Sequence, residues 1–138
     1  MKKVAEISKI LWINTILFFV GWTMFFLIGA DHPPPIGFLW IVLFIFILDT
    51  IQYVYLKGFL MQLIEQKKGL FTKNLLFFVS GGLIITVLVS ILQLVESKEL
   101  STAYVLIWLG LMLGTGTLYA IVFWFFNVFL LKVFRDRV

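Results

Sequence analysis

The chain has 138 residues, of which 62% are hydrophobic and 13% charged, with a net charge of +4 and a mean hydropathy of +1.11. Soluble domains run at about 45–50% apolar and about 25% charged, and a chain this short cannot hide the excess inside itself, so lipid must form part of its exterior. The lack of cysteine excludes disulfides, thiolate nucleophiles, Cys-ligated zinc and iron–sulfur clusters, and cations confined to short segments between apolar runs argue against nucleic-acid binding.

The first apolar run, residues 10–30, meets the requirement of about 20 residues for crossing about 30 Å of hydrocarbon. A cleavable signal peptide is its rival reading, with Lys2 and Lys3 ahead of the run and Ile28-Gly29-Ala30 resembling a cleavage site. A signal core is usually only about 7–15 residues, so a retained span is expected. Asp31-His32-Pro33-Pro34-Pro35 then breaks the helix, because proline cannot donate to it and restrains the residue before it.

The second run, residues 36–56, is interrupted only by Asp49. Residues 57–73 form an expected cytoplasmic loop in which Phe59, Leu60, Leu63 and Ile64 recur at helical spacing opposite Gln62, Glu65, Gln66 and Lys67. That pattern is either a continuation of the second span or an interfacial helix ending near Gly69. The third run covers residues 74–95, and Glu96-Ser97-Lys98-Glu99 links it tightly to a fourth run over 100–131. The fourth run exceeds what a perpendicular helix needs, so its membrane part is placed at 102–129 with the remainder tilted or projecting into the cytoplasmic interface.

The expected fold is a single membrane domain, residues 1–138, of the all-α integral membrane class. It is a four-transmembrane-helix bundle of two antiparallel hairpins, because such short links force neighbours to run antiparallel. Lys2, Lys3, Lys9, Lys57, Lys67, Lys68, Lys73, Lys132, Arg135 and Arg137 fall on one side of this arrangement and Lys98 alone on the other. The positive-inside rule then puts both termini in the cytoplasm. Trp12, Tyr53, Tyr55 and Phe71 mark the inner boundary, and Trp40, Tyr104 and Trp108 the outer one. The compact, cysteine-free chain without a glycosylation acceptor points to a bacterial cytoplasmic membrane.

Asp49 is the one acidic or basic residue inside a span, about two turns before Lys57. An intramembrane carboxylate should face protein or water. By depth its expected company is Asn14, Ser80 and Asn127, with Gln52 and Tyr53 following at i+3 and i+4 on its own helix. Such a cluster serves either as a proton or cation site or as an interhelical lock, and the lock is favoured because transport sites usually hold several ionisable groups.

Small residues form a second pattern: Gly82, Thr86 and Ser90 at four-residue spacing, and Gly110 and Gly114 extended by Thr117. Spacing by four puts each set on one helix face, where backbones can approach closely. Packing within the chain is the expected use, and a homo-oligomer or a membrane-protein partner the alternative.

His32 and Asp31 are too few for a catalytic zinc, which takes three protein ligands, or for a nucleophile–base pair, which needs an orienting third group. No phosphate-cradling glycine loop or nucleophile elbow is present, so neither a cofactor, a metal nor catalysis is expected. The sequence therefore favours a non-catalytic accessory, regulatory or immunity-type component that docks its helices on a membrane partner. The alternative is an oligomeric small-solute or ion channel or transporter that uses the Asp49 cluster.

Overall fold

A computed structural model describes residues 2–136, with residues 2, 3 and 136 by backbone alone; of the cations counted above, the Lys2 and Lys3 side chains and all of Arg137 lie outside the described residues. The described chain forms four helices: α1 (Lys2–Ile28), α2 (Phe38–Ile64), α3 (Leu70–Ser97) and α4 (Thr102–Asp136). They hold 27, 27, 28 and 35 residues. At 1.5 Å per residue they extend roughly 40 to 52 Å, against a hydrocarbon layer of about 30 Å. All four are long and apolar enough to cross a membrane.

Burial runs opposite to that of a water-soluble protein. Phe25, Ile36, Leu39, Trp40, Val54 and Val95 are among many large apolar side chains left exposed, whereas Asn14, Asp49, Gln52, Asn74, Thr86 and Asn127 are buried. Only a solvent as apolar as leucine makes that exterior stable. The chain is a multi-pass integral membrane protein.

Two compact units partition the helices: Met1–Lys67 with Leu130–Val138, and Lys68–Phe129. In the first unit α1 packs against α2. The buried positions are Ile7, Ile10, Leu11 and Asn14 on α1, and Ile45, Asp49, Gln52, Leu56, Phe59 and Leu60 on α2. Steps of three and four residues make each set a single stripe along its helix. Because Leu56, Phe59 and Leu60 prolong the α2 stripe, that helix runs unbroken through Lys57 and Gly58 to Ile64.

The turn that follows is short. Gln66 and Gly69 both adopt positive φ, 55° and 74°, which reverses the chain into α3. Only Gly69 does so free of a Cβ penalty. Lys67 pairs with Glu65 at 3.0 Å on the surface, a contact worth about 0–1 kcal/mol.

The second unit holds the tightest packing. Moving up α3 through Phe71, Asn74, Phe78 and Gly82, the partner positions on α4 fall from Trp124 through Ala120 and Gly116 to Met112, so the two helices run antiparallel. A Cβ added to Gly82 would lie 2.6 Å from the Met112 carbonyl oxygen, and one added to Gly116 would lie 2.8 Å from that of Phe78. Backbones this close require glycine at both places. Asn74 Nδ2 donates across the interface to the Ala120 carbonyl oxygen at 2.8 Å, and Phe78 packs on the Tyr119 and Phe123 rings with centroids 4.9 Å away in both cases.

Two substitutions measure these contributions. Gly82→Ala forces the α3 and α4 backbones apart and is expected to cost about 1–3 kcal/mol, the usual range for overpacking. Asn74→Ala removes the cross-helix hydrogen bond, for which about 0.6 kcal/mol and at most about 1.7 kcal/mol is expected. Unfolding in mixed micelles, followed by circular dichroism, reads both; an unchanged Gly82→Ala midpoint would contradict the close approach.

Candidate functional site

The buried polar side chains lie on the inward stripes of the helices. On α2, Asp49 and Gln52 continue the row begun by Ile45, and each is only 5% exposed. Tyr53, one residue further, is half-buried. On α1, Asn14 closes the row from Ile7 and its Nδ2 donates to the Ile10 carbonyl oxygen at 2.9 Å. Asn14, Asp49 and Gln52 thus belong to the buried stripes of the α1–α2 unit.

Asp49 differs from its neighbours in one respect. Its Oδ1 is buried and has no hydrogen-bond partner among the described residues. The Thr15 and Thr23 hydroxyl oxygens are likewise buried without partners, but a neutral hydroxyl is far cheaper to strand than a carboxylate. An ionised Asp costs about 2.5–3.5 kcal/mol at mid-bilayer on insertion scales and less toward the interface, so a charge here is better neutralised or solvated locally.

Asn127 is fully buried, and its Nδ2 donates to the Phe123 carbonyl oxygen at 3.0 Å. Ser80 is exposed. The inward row of α3 is Leu70, Asn74, Phe78, Gly82 and Thr86, and a residue two positions from Gly82 points to the opposite side of the helix. Asn74, not Ser80, is therefore buried with Thr86 on α3, and the depth estimate passed over it. The signal was available, since Asn74 lies two four-residue steps before Gly82 on the same row.

The small-residue patterns divide. Gly82 and Thr86 are buried and Ser90 half-buried, and the hydroxyls bond back along their own helix, Thr86 Oγ1 to the Gly82 carbonyl at 3.0 Å and Ser90 Oγ to that of Thr86 at 2.8 Å. Thr117 Oγ1 does the same toward Leu113 at 2.8 Å. Gly110 and Gly114, in contrast, are exposed, and a Cβ at either would meet no atom within 4 Å. The packing within the chain expected of that pair is carried by Gly116 instead. Gly116 and Ala120 form a second small pair, offset by two residues and so on the other side of α4, in register with Phe78 and Asn74.

The chemistry on offer elsewhere is sparse. Thr86, Ser90, Leu94, Leu100 and Val105 help line an apolar cavity of about 240 Å³ in the α3–α4 unit, whose two hydroxyls are already occupied by backbone carbonyls. Asp31 and His32 are exposed in the α1–α2 link. Among the described residues no three His, Cys, Asp or Glu side chains gather as metal ligands. Comparison with known proteins gives no match to a family model, to a curated protein or to a solved structure.

Ser80→Leu and Gly110→Leu, both on exposed apolar faces, are expected to leave stability within about 0.5 kcal/mol of the parent. A loss above 2 kcal/mol in micelle unfolding would show that these faces are covered in the isolated chain.

Proposed function

We propose that the protein is a non-catalytic accessory, regulatory or immunity-type component of a bacterial cytoplasmic membrane, acting by docking α4 against a helix of a membrane partner or of a second copy. The observation that carries this reading is the open Gly110–Gly114 face. The chain meets its own need for close backbone contact with Gly82 and Gly116, and two further glycines at four-residue spacing remain turned to lipid. In a bilayer, where burying apolar surface gives helices no advantage over lipid, such a face offers backbone approach and dispersion contacts as its attraction.

The proposed topology has two antiparallel hairpins with both termini cytoplasmic. The charge asymmetry supports it, ten of the eleven Lys and Arg lying on one side. So does the reach of the α1–α2 link, since nine residues extend at most about 32 Å, too short to return along a helix of about 40 Å. Short links leave little chain outside the membrane for a soluble ligand, which favours recognition within it.

A second reading, an oligomeric small-solute or ion channel or transporter, draws its support from Asp49, whose buried Oδ1 lacks a partner among the described residues.

Gly114→Leu is expected to release the partner, or to convert a dimer to monomer, when the complex is recovered from native membrane in mild detergent, while thermal stability stays unchanged. Recovery of the parent chain as a lone monomer would refute docking. For the second reading, Asp49→Asn abolishes ion-dependent flux in proteoliposomes with the fold intact; undiminished flux removes Asp49 from any pathway.

A further inference from the structure

We infer that Asp49 is a binding site for a single positive charge, a proton or a bare monovalent cation, held inside the α1–α2 unit. Asp49 is 95% buried on the inward stripe of α2, and its Oδ1 has no donor among the described residues. With one carboxylate oxygen buried and given no donor, a free anion at Asp49 is costly to hold, and a compensating charge lowers that cost.

Among the described side chains of the α1–α2 unit, no basic group is buried with Asp49. The basic and acidic residues of α1 whose side chains are described, the half-buried Glu6 and the exposed Lys9, precede Ile10. On α2 the next is Lys57, exposed about two turns further on, and Lys132 and Arg135 in the same unit are exposed as well. In sequence, residues 74–95 and 102–131 of the other spans contain no Asp, Glu, His, Lys or Arg, and their titratable groups are the phenols of Tyr104 and Tyr119, as Tyr53 and Tyr55 are on α2.

A proton needs only the carboxyl oxygen itself. A metal cation needs further oxygens, of the class that amide side-chain or backbone carbonyls supply. Neutralisation by one such charge turns Asp49 from an anion into a group the membrane interior tolerates, so its occupancy controls how firmly α1 and α2 stay packed. The inference stands independently of the docking reading, because Gly110 and Gly114 take no part in it.

Infrared spectroscopy distinguishes the two sources. In a D31N/D136N chain labelled with ¹³C-carboxyl aspartate, Asp49 is the sole labelled carboxyl. If a proton is bound at neutral pH, a protonated-carboxyl stretch shifts with the label and vanishes on addition of alkali. If a cation is bound, that band is absent, and replacing choline by sodium, potassium or lithium at constant ionic strength raises the unfolding midpoint. Asp49→Asn then loses the cation response. An ionised label band together with a midpoint indifferent to cation identity overturns the inference, and that outcome is readable whether or not Asp49→Asn folds. Loss of the site with an intact partner complex would leave the docking reading standing.

Discussion

Hydrocarbon cannot hydrogen-bond, and the arrangement of this protein follows from that constraint. Every backbone donor and acceptor in a span must be paired within the chain, which leaves the helix as the only solution for segments this long without partner strands. The same constraint sorts the side chains. Apolar residues lose nothing by facing lipid and do so in large numbers, while Asn14, Asp49, Gln52, Asn74, Thr86 and Asn127 turn inward. The interior of the helix pairs thus holds these polar side chains among apolar ones.

With no hydrophobic drive to press helices together, adhesion depends on distance. The α3–α4 pair shows how that distance is gained: two glycines bring the Met112 and Phe78 carbonyls to within reach of the opposite backbone, and one asparagine amide spans the gap. Further along α3, from Thr86 to Leu94, the helix has no glycine and lines an open apolar pocket with Leu100 and Val105. The α1–α2 pair relies instead on staggered stripes of leucine, isoleucine and phenylalanine punctuated by amides and one carboxyl. These are two ways of making one kind of adhesion, and they leave different surplus features, an open glycine face on α4 and a stranded oxygen on α2.

Those surplus features carry the functional reading. In the function proposed above, the uncovered glycine face is where another helix docks, and in the further inference the buried carboxyl without a donor is where a small positive charge binds.

Length, hydropathy and the placement of breakers were enough to read four membrane-crossing helices, because the need to pair every backbone group in lipid acts on each segment by itself. The burial of Asn14, Asp49, Gln52 and Asn127 was likewise open to reading, since an amide or carboxyl is costly against lipid, whereas a hydroxyl such as that of Ser80 can stay exposed. Which side of each helix faces its neighbour was decided only by tertiary structure. Gly110 and Gly114 look the same in sequence as Gly116 and Ala120, and Ser80 the same as Asn74, yet a rotation of α4 or α3 by two residues exchanges their environments. Packing selected the register in which Gly82 meets Met112 and Gly116 meets Phe78, because only there can both backbone approaches and the Asn74 hydrogen bond form together. The continuation of α2 to Ile64 was settled in the same way, by burial of Phe59 and Leu60, a tertiary gain that outweighs the polar residues around them.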